Sequence, residues 1–443
     1  MRSVTLAACC AALLAASPAG QQVETTPAGR QAARGTTMDR MAEEYVKLVL
    51  AVGQHDPDYV DAYYGPPEWR KEAEGTKVPL ETLTVSAGEL AAALERDAAP
   101  AADEMGRLRR QHLQRQLVAV SARLRMLGGE RLTFDEESRA LYDAVAPTQP
   151  ESHFQGILQK LEERFPGSGP LLGRYEEFRR EFVIPKDKQD AVFRAAIRAC
   201  RDRSVTHIPL PADEQFTLEY VTDKSWSGYN WYQGGFKSLI QMNVDLPIYV
   251  DRAIDLACHE GYPGHHVYNV VIEKNLVRDR GWVEFTVYPL FSPQSLIAEG
   301  TANYGIEMAF PGPERLQFER TVLFPLAGID ATRAEGYYEV QQMVEELAYA
   351  GNEAARRYLN GEIDAKQAAE WLERYALMSR DRAAQRVRFF DQYRSYVINY
   401  NLGKDIVRRY IESRAGDDHA RRWQEFEKLL STPRLPSSLR QAY

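Results

Sequence analysis

Cysteine is scarce in this chain of 443 residues: there are four, and Cys9 and Cys10 fall in an apolar N-terminal stretch that reads as cleaved. The two that remain, Cys200 and Cys258, cannot scaffold a chain of this size. They could pair with each other in an oxidising compartment or be two buried small hydrophobes, the second reading being favoured. Positive charge is not in excess either, since 55 Lys and Arg stand against 63 Asp and Glu, giving a net charge of −8. That balance argues against a nucleic-acid partner, which calls for a basic footprint to release phosphate counterions. No internal apolar run approaches the roughly 18 residues of a membrane-spanning helix, so no membrane span is expected. The sequence also lacks internal repeats, low-complexity tracts, a phosphate-binding loop, a dinucleotide fingerprint and a nucleophile elbow. What is present is an ordinary globular composition, 44% hydrophobic and 27% charged, with material for a large dry core.

The N-terminus has its own character. Met1-Arg2-Ser3 is short and basic, Val4 to Ala16 is apolar, and Ser17-Pro18-Ala19 supplies small residues for cleavage. Residues 1–19 therefore read as a signal peptide and the protein as secreted or periplasmic. The Gly/Pro/Thr/Gln-rich stretch 20–37 reads as a disordered lead-in.

From Met38 onward the pattern is that of one α-rich domain, 38–443. Met41, Tyr45, Leu48 and Val52 recur at three- and four-residue spacing, as one buried helix face requires. After a turn-rich segment at 56–67, amphipathic stretches at about 86–98, 103–128, 134–145, 150–165, 171–182 and 185–201 complete a helical part, 38–205. Phe216, Leu218 and Tyr220, and again Ile240, Met242 and Val244, alternate with polar residues. They predict a small antiparallel sheet within 206–247, with Ser225–Gly235 as the loop between strands. Helices return over 248–443. Asp364 and Gln367 form a capping-box pattern opening a helix toward Met378.

The chemistry is concentrated in Cys258-His259-Glu260-Gly261-Tyr262-Pro263-Gly264-His265-His266, behind an apolar lead-in. His259-Glu260 with a later histidine is similar to the HExxH helix of zinc peptidases. There, two imidazoles four residues apart share a helix face, and the Glu polarises the metal's water. Here the position four after His259 is Pro263. A Pro-Gly bulge in the helix would restore the spacing for His265, with His266 as the alternative ligand or a supporting group. Glu299, on a small-residue helix with Gly300 and Ala302, is the candidate third ligand, because a buried carboxylate there is costly unless it coordinates or pairs. Asn303, one turn on, could hold the free ring nitrogen of His259. The expected cofactor is one Zn²⁺ per chain, with Glu260 as general base.

The octet His259-Glu260-Gly261-Tyr262-Pro263-Gly264-His265-His266, together with His55-Asp56-Pro57-Asp58-Tyr59 through Tyr64-Gly65-Pro66-Pro67, resembles a bacterial domain-of-unknown-function family with an HExxPGHH signature. That family resembles the gluzincin-type zinc metallopeptidases. The resemblance runs from about Met38 to the C-terminus and implies a zincin-like catalytic core, Glu299 as third ligand, and a peptide substrate. It also implies a substrate-pairing edge strand before the metal helix, with Tyr229, Gly234, Gly235 and Asn243 as contacts. In a late Tyr- and Gly-rich segment it points to Tyr400 as oxyanion donor, with Arg394 binding a substrate carboxylate or supporting the tyrosine. The reading is thus a secreted zinc-dependent hydrolase acting on short peptides. The alternatives are a catalytically inactive metal- or peptide-binding relative and a metal-free helical interaction protein.

Overall fold

Met41, Tyr45, Leu48 and Val52 are all buried on one face of the helix Thr37–Val52, as their spacing requires. The computed structural model describes residues 36–97 and 103–440. The segment read as a signal peptide, with Cys9 and Cys10, lies outside the described residues, as does all but the end of the lead-in. Residues 37–443 cluster as one unit, and the structure is 67% helical with a small sheet, about twice the globular average. Helices Leu80–Arg96, Glu104–Leu127, Phe134–Tyr142, Glu151–Arg164, Leu171–Arg180 and Gln189–Ser204 occupy the stretches expected from periodicity, with ends shifted by a few residues. The capping box is present: Gln367 N donates to Asp364 Oδ1 at 2.8 Å, and Asp364 N donates to Gln367 Oε1 at 2.9 Å. Its helix, Ala365–Tyr375, stops short of Met378 because Leu377 adopts a left-handed conformation, φ 48°.

Two helices form the spine of the C-terminal half, Pro293–Ala309, which carries Glu299, and Ile398–Ala415, which carries Tyr400. They touch backbone to backbone. A Cβ on Gly300 would lie 2.5 Å from the Gly403 carbonyl oxygen, and a Cβ on Gly403 would lie 2.8 Å from that of Leu296. Gly300 therefore serves a close approach to the tyrosine-bearing helix.

The sheet corrects two expectations. Strands β1 (Val60–Tyr63), β2 (Gln215–Val221), β3 (Gly228–Gly234), β4 (Lys237–Asn243) and β5 (Val287–Pro289) form two sheets. β1 pairs with β5, while the other three lie in the order β2-β4-β3. This second sheet is mixed rather than antiparallel: β3 runs antiparallel to β4, but β2 runs parallel to it. Two successive reversals give the first and third strands the same direction, and here the third lies in the middle. Most of Ser225–Gly235, expected as loop, is strand β3. Its Gly and Asn residues mask the β-forming Tyr229, Trp231 and Tyr232, of which Tyr229 and Trp231 stack on one face with centroids 4.4 Å apart. The turn-rich segment 56–67 likewise contains β1.

For the cysteines the structure decides between the two alternatives, against the favoured one. Cys200 and Cys258 are fully buried, as expected, but they form a disulfide with Cα atoms 5.5 Å apart. It ties the helix Gln189–Ser204 to the residue before His259.

Candidate metal centre

The helix entering the site begins at Asp251 and widens into a π-turn at Ala257–Gly261, which carries His259 and Glu260. Such one-turn π segments recur at functional sites because they re-aim side chains without ending the helix. The chain does not bulge and continue, as the Pro-Gly pair suggested. It breaks at Tyr262-Pro263-Gly264 and starts a new helix, His265–Ile272. Gly264 makes the junction possible. Its N–H donates to the Cys258 carbonyl at 2.9 Å, and a Cβ there would lie 1.8 Å from the His259 carbonyl oxygen.

The break brings His259 and His265 face to face, with their Nε2 atoms 3.1 Å apart. Glu299, from the spine helix, places Oε2 3.2 Å from His259 Nε2 and 3.6 Å from His265 Nε2. Ligand atoms around a tetrahedral zinc, at bonds of roughly 2.0–2.1 Å, are separated by about 3.3 Å. The three observed separations bracket that edge length. Glu299 Oε2 is moreover buried and has no hydrogen-bond partner among the described residues. An orphaned carboxylate oxygen costs about 1–3 kcal/mol or more, and a cation held among the three groups would remove that cost. His259, His265 and Glu299 can therefore hold a metal ion.

The electrostatics agree. Burial alone would raise the Glu299 carboxyl, but the His265 charge and the approach of both imidazoles override it and hold it well below the usual range. Burial alone would lower His265, but Glu299 dominates and pushes it up to about 9. Glu260 is buried, which raises its carboxyl, while His259 and His265 temper the effect. Its backbone carbonyl accepts a hydrogen bond from Asn230 Nδ2 of β3 at 2.8 Å.

These groups open onto a cleft of about 1280 Å³, which His259, Glu260, His265, Glu299, Tyr229, Asn303 and Tyr400 all line. Tyr400 has no hydrogen-bond partner among the described residues. Burial and the Glu299 charge raise its phenol well above the ordinary value, so it stays protonated and able to donate. Asn303 Nδ2 donates back to the Glu299 carbonyl at 2.9 Å instead of holding His259.

Other candidates lie elsewhere. His266 is fully buried, between Ser238 Oγ at 2.9 Å and Glu214 Oε2 at 2.8 Å, where it fastens the new helix to the sheet. Arg394 donates to Glu137 Oε2 at 2.7 Å, and Ser395 N and Oγ donate to Oε1 of the same carboxylate. It thereby anchors the turn that carries Tyr396, away from the cleft. Gly234 packs on Tyr64, Gly235 N donates to Glu273, and Asn243 Nδ2 donates to the Lys224 and Trp226 carbonyls; none of the three lines the cleft.

Two residues were missed. Tyr396 OH donates to Glu299 Oε1 at 2.8 Å, orienting the carboxylate from behind. Its four-residue spacing from Tyr400 was the available signal. Asp61, on β1, lines the cleft and accepts from Tyr229 OH. Burial raises its carboxyl to about 6, against the lowering effect of that hydrogen bond. Its strand was hidden among turn residues.

No family model and no curated protein sequence matches the chain. Among solved structures, a candidate lipoprotein from Colwellia psychrerythraea is similar at TM-score 0.50 and 14% identity, over 80% of this chain and 68% of that one. That likeness is one of fold. Weaker similarities link the chain to a candidate lipoprotein of unknown function from Shewanella oneidensis, at TM-score 0.43 and 12% identity over 85% of this chain and 75% of that one. The M32 carboxypeptidase from Deinococcus radiodurans R1 is similar at TM-score 0.38 and 12% identity, over 91% of this chain and 92% of that one.

Proposed function

We infer that the protein is a zinc-dependent hydrolase acting on peptide bonds of short peptides. The observation that carries this reading is the His259–His265–Glu299 triangle, with sides of 3.1, 3.2 and 3.6 Å, facing a large cleft beside the buried Glu260. His259, His265 and Glu299 would hold the zinc, which would supply Lewis acidity to a water and to a substrate carbonyl. Glu260, raised by burial, takes a proton from the attacking water and passes it to the leaving amine. Tyr400 donates its free hydroxyl to the developing oxyanion, and Tyr396 keeps Glu299 in place. β3, at the sheet edge, presents Gly228–Asn230 to the cleft, where an extended substrate backbone can add as a strand. The cleft exceeds the roughly 300–1,000 Å³ of an ordinary small-ligand pocket, which favours a chain of several residues.

The Cys200–Cys258 disulfide supports an oxidising, extracytoplasmic location, in keeping with the N-terminal sequence and with a structural neighbour described as a candidate lipoprotein. The test is a peptide library offered to the zinc-loaded protein and to Glu260→Gln. Cleavage that falls about 10²–10⁴-fold in the variant while zinc stays bound supports the reading. Equal cleavage, or none by either protein, sinks it.

A further inference from the structure

In the helix Arg380–Tyr393 both Arg382 and Arg386, one turn apart, line the cleft. Neither has a carboxylate partner among the described residues. Arg382 donates to the Pro247 carbonyl at 2.6 Å. Arg386 has no hydrogen-bond partner among the described residues, and its Nε is buried. Its guanidinium lies 4.9 Å from the Phe389 ring centroid and 5.7 Å from that of Tyr400.

Like charges one helical turn apart destabilise a helix, and Arg252 from the entering helix adds to the repulsion on both. Arg252 itself donates to Asp255 at 3.0 Å, a carboxylate it shares with Arg315 at 2.9 Å. The wall thus keeps two guanidinium groups with no ion-pair contact among the described residues, the more distant charges of Asp251 and Glu299 being their only carboxylate influences of note; guanidinium is the side chain best shaped to grip a carboxylate through two parallel hydrogen bonds.

Their position relative to the metal ligands narrows the choice. The Tyr400 ring lies 5.8 Å from the Tyr396 ring, whose hydroxyl touches Glu299. Arg386 is therefore two ring contacts from the triad, and extended peptide advances about 3.4 Å per residue. A peptide bond at the triad and a carboxylate at Arg386 would be only a few residues apart.

We propose that Arg386, with Arg382 beside it, receives the free α-carboxylate of a short peptide, so that the enzyme works from the C-terminal end of its substrate. The proposal rests on the hydrolase reading above. Water adds across the peptide bond near the triad and the C–N bond breaks. The amino-terminal fragment gains a carboxylate, and the short C-terminal fragment leaves as an amine that still carries the carboxylate held by Arg386.

The test is calorimetric titration of zinc-loaded Glu260→Gln protein with N-acetylated tripeptides ending in alanine or phenylalanine, each as the free acid and as the C-terminal amide. The amides are expected to bind about 10- to 100-fold more weakly, the loss of a charge-assisted contact. Adding Arg386→Gln should weaken the free acids by a similar factor and leave the amides unchanged, and Arg386→Lys should restore part of the loss. Equal binding of acid and amide, binding of neither, or an equal loss of both in Arg386→Gln would overturn the proposal. Turnover with Glu260 intact separates the two ideas. Cleavage of acids and amides alike sinks the C-terminal preference and leaves hydrolysis standing, whereas selective binding of the acids without turnover upholds carboxylate recognition and sinks hydrolysis.

Discussion

Replacing Glu299 by glutamine removes the only carboxylate that approaches both imidazoles of the triad among the described residues, and its effect on the metal-free protein follows from His265. In the folded chain Glu299 outweighs burial and lifts His265 from 6.5 to about 9. The folded state therefore binds a proton that the unfolded state releases over that interval. A group whose pKa is raised on folding gives its full stabilisation below the unfolded value and loses it as pH rises through the folded one. At about 1.4 kcal/mol per pH unit, roughly 3 kcal/mol of stability should disappear between about pH 6.5 and 9. In Glu299→Gln the largest lifting charge is gone and only the smaller effects of Glu260 and Asp61 still oppose burial at His265, so this fall should be much smaller. The assay is urea denaturation of both proteins under chelator at pH 6, 7.5 and 9, comparing the differences so that all other titrations cancel. Wild-type stability that runs parallel to the variant's across this range would refute the assigned coupling. Because zinc replaces the same proton, binding at pH 7.5 should also release about one proton per ion, measurable by titration in buffers of different ionisation enthalpy.

The disulfide closes a loop with a sequence separation of 58, so Cys200→Ser with Cys258→Ser should cost up to about 4 kcal/mol in chemical denaturation; no change would mean that the bond adds nothing. Tyr400→Phe should lower kcat about 10²–10³-fold with little change in zinc content, whereas Tyr396→Phe should chiefly weaken zinc binding, by about 10–100-fold. If both variants behaved alike, their separate roles would be wrong. Gly264→Ala sets a Cβ against the His259 carbonyl and should abolish zinc binding even where soluble protein is recovered; a variant with full zinc content would contradict the described junction.

Much of this architecture was legible because helices announce themselves locally. A buried face repeats within four residues, and the Asp364–Gln367 box closes within one turn, so neither depends on distant chain. His259, Glu260, His265 and Glu299 were legible for another reason: two imidazoles, a following glutamate and a carboxylate on an apolar helix have few cheap arrangements other than around a cation. What stayed hidden depends on long-range geometry. Strand β3 is rich in Gly and Asn, and only its neighbour β4 makes it a strand; the direction of β2 follows from which strand ends in the middle. The Cys200–Cys258 bond needs two helices to meet, which spacing does not reveal. Arg394 and Arg386 illustrate the same limit. Both are arginines near the C-terminal tyrosines, yet Glu137, from far away in sequence, claims Arg394, whereas no carboxylate among the described residues claims Arg386.

The central claim is that the triangle of His259, His265 and Glu299 is a zinc site serving hydrolysis. Elemental analysis of the purified protein beside His259→Ala, Glu299→Ala and Glu260→Gln tests it most directly. About one zinc per chain in the wild type and in Glu260→Gln, and almost none in the other two, is the predicted result. No zinc in the wild type after zinc is offered and the excess removed, or zinc retained in His259→Ala and Glu299→Ala, would contradict it.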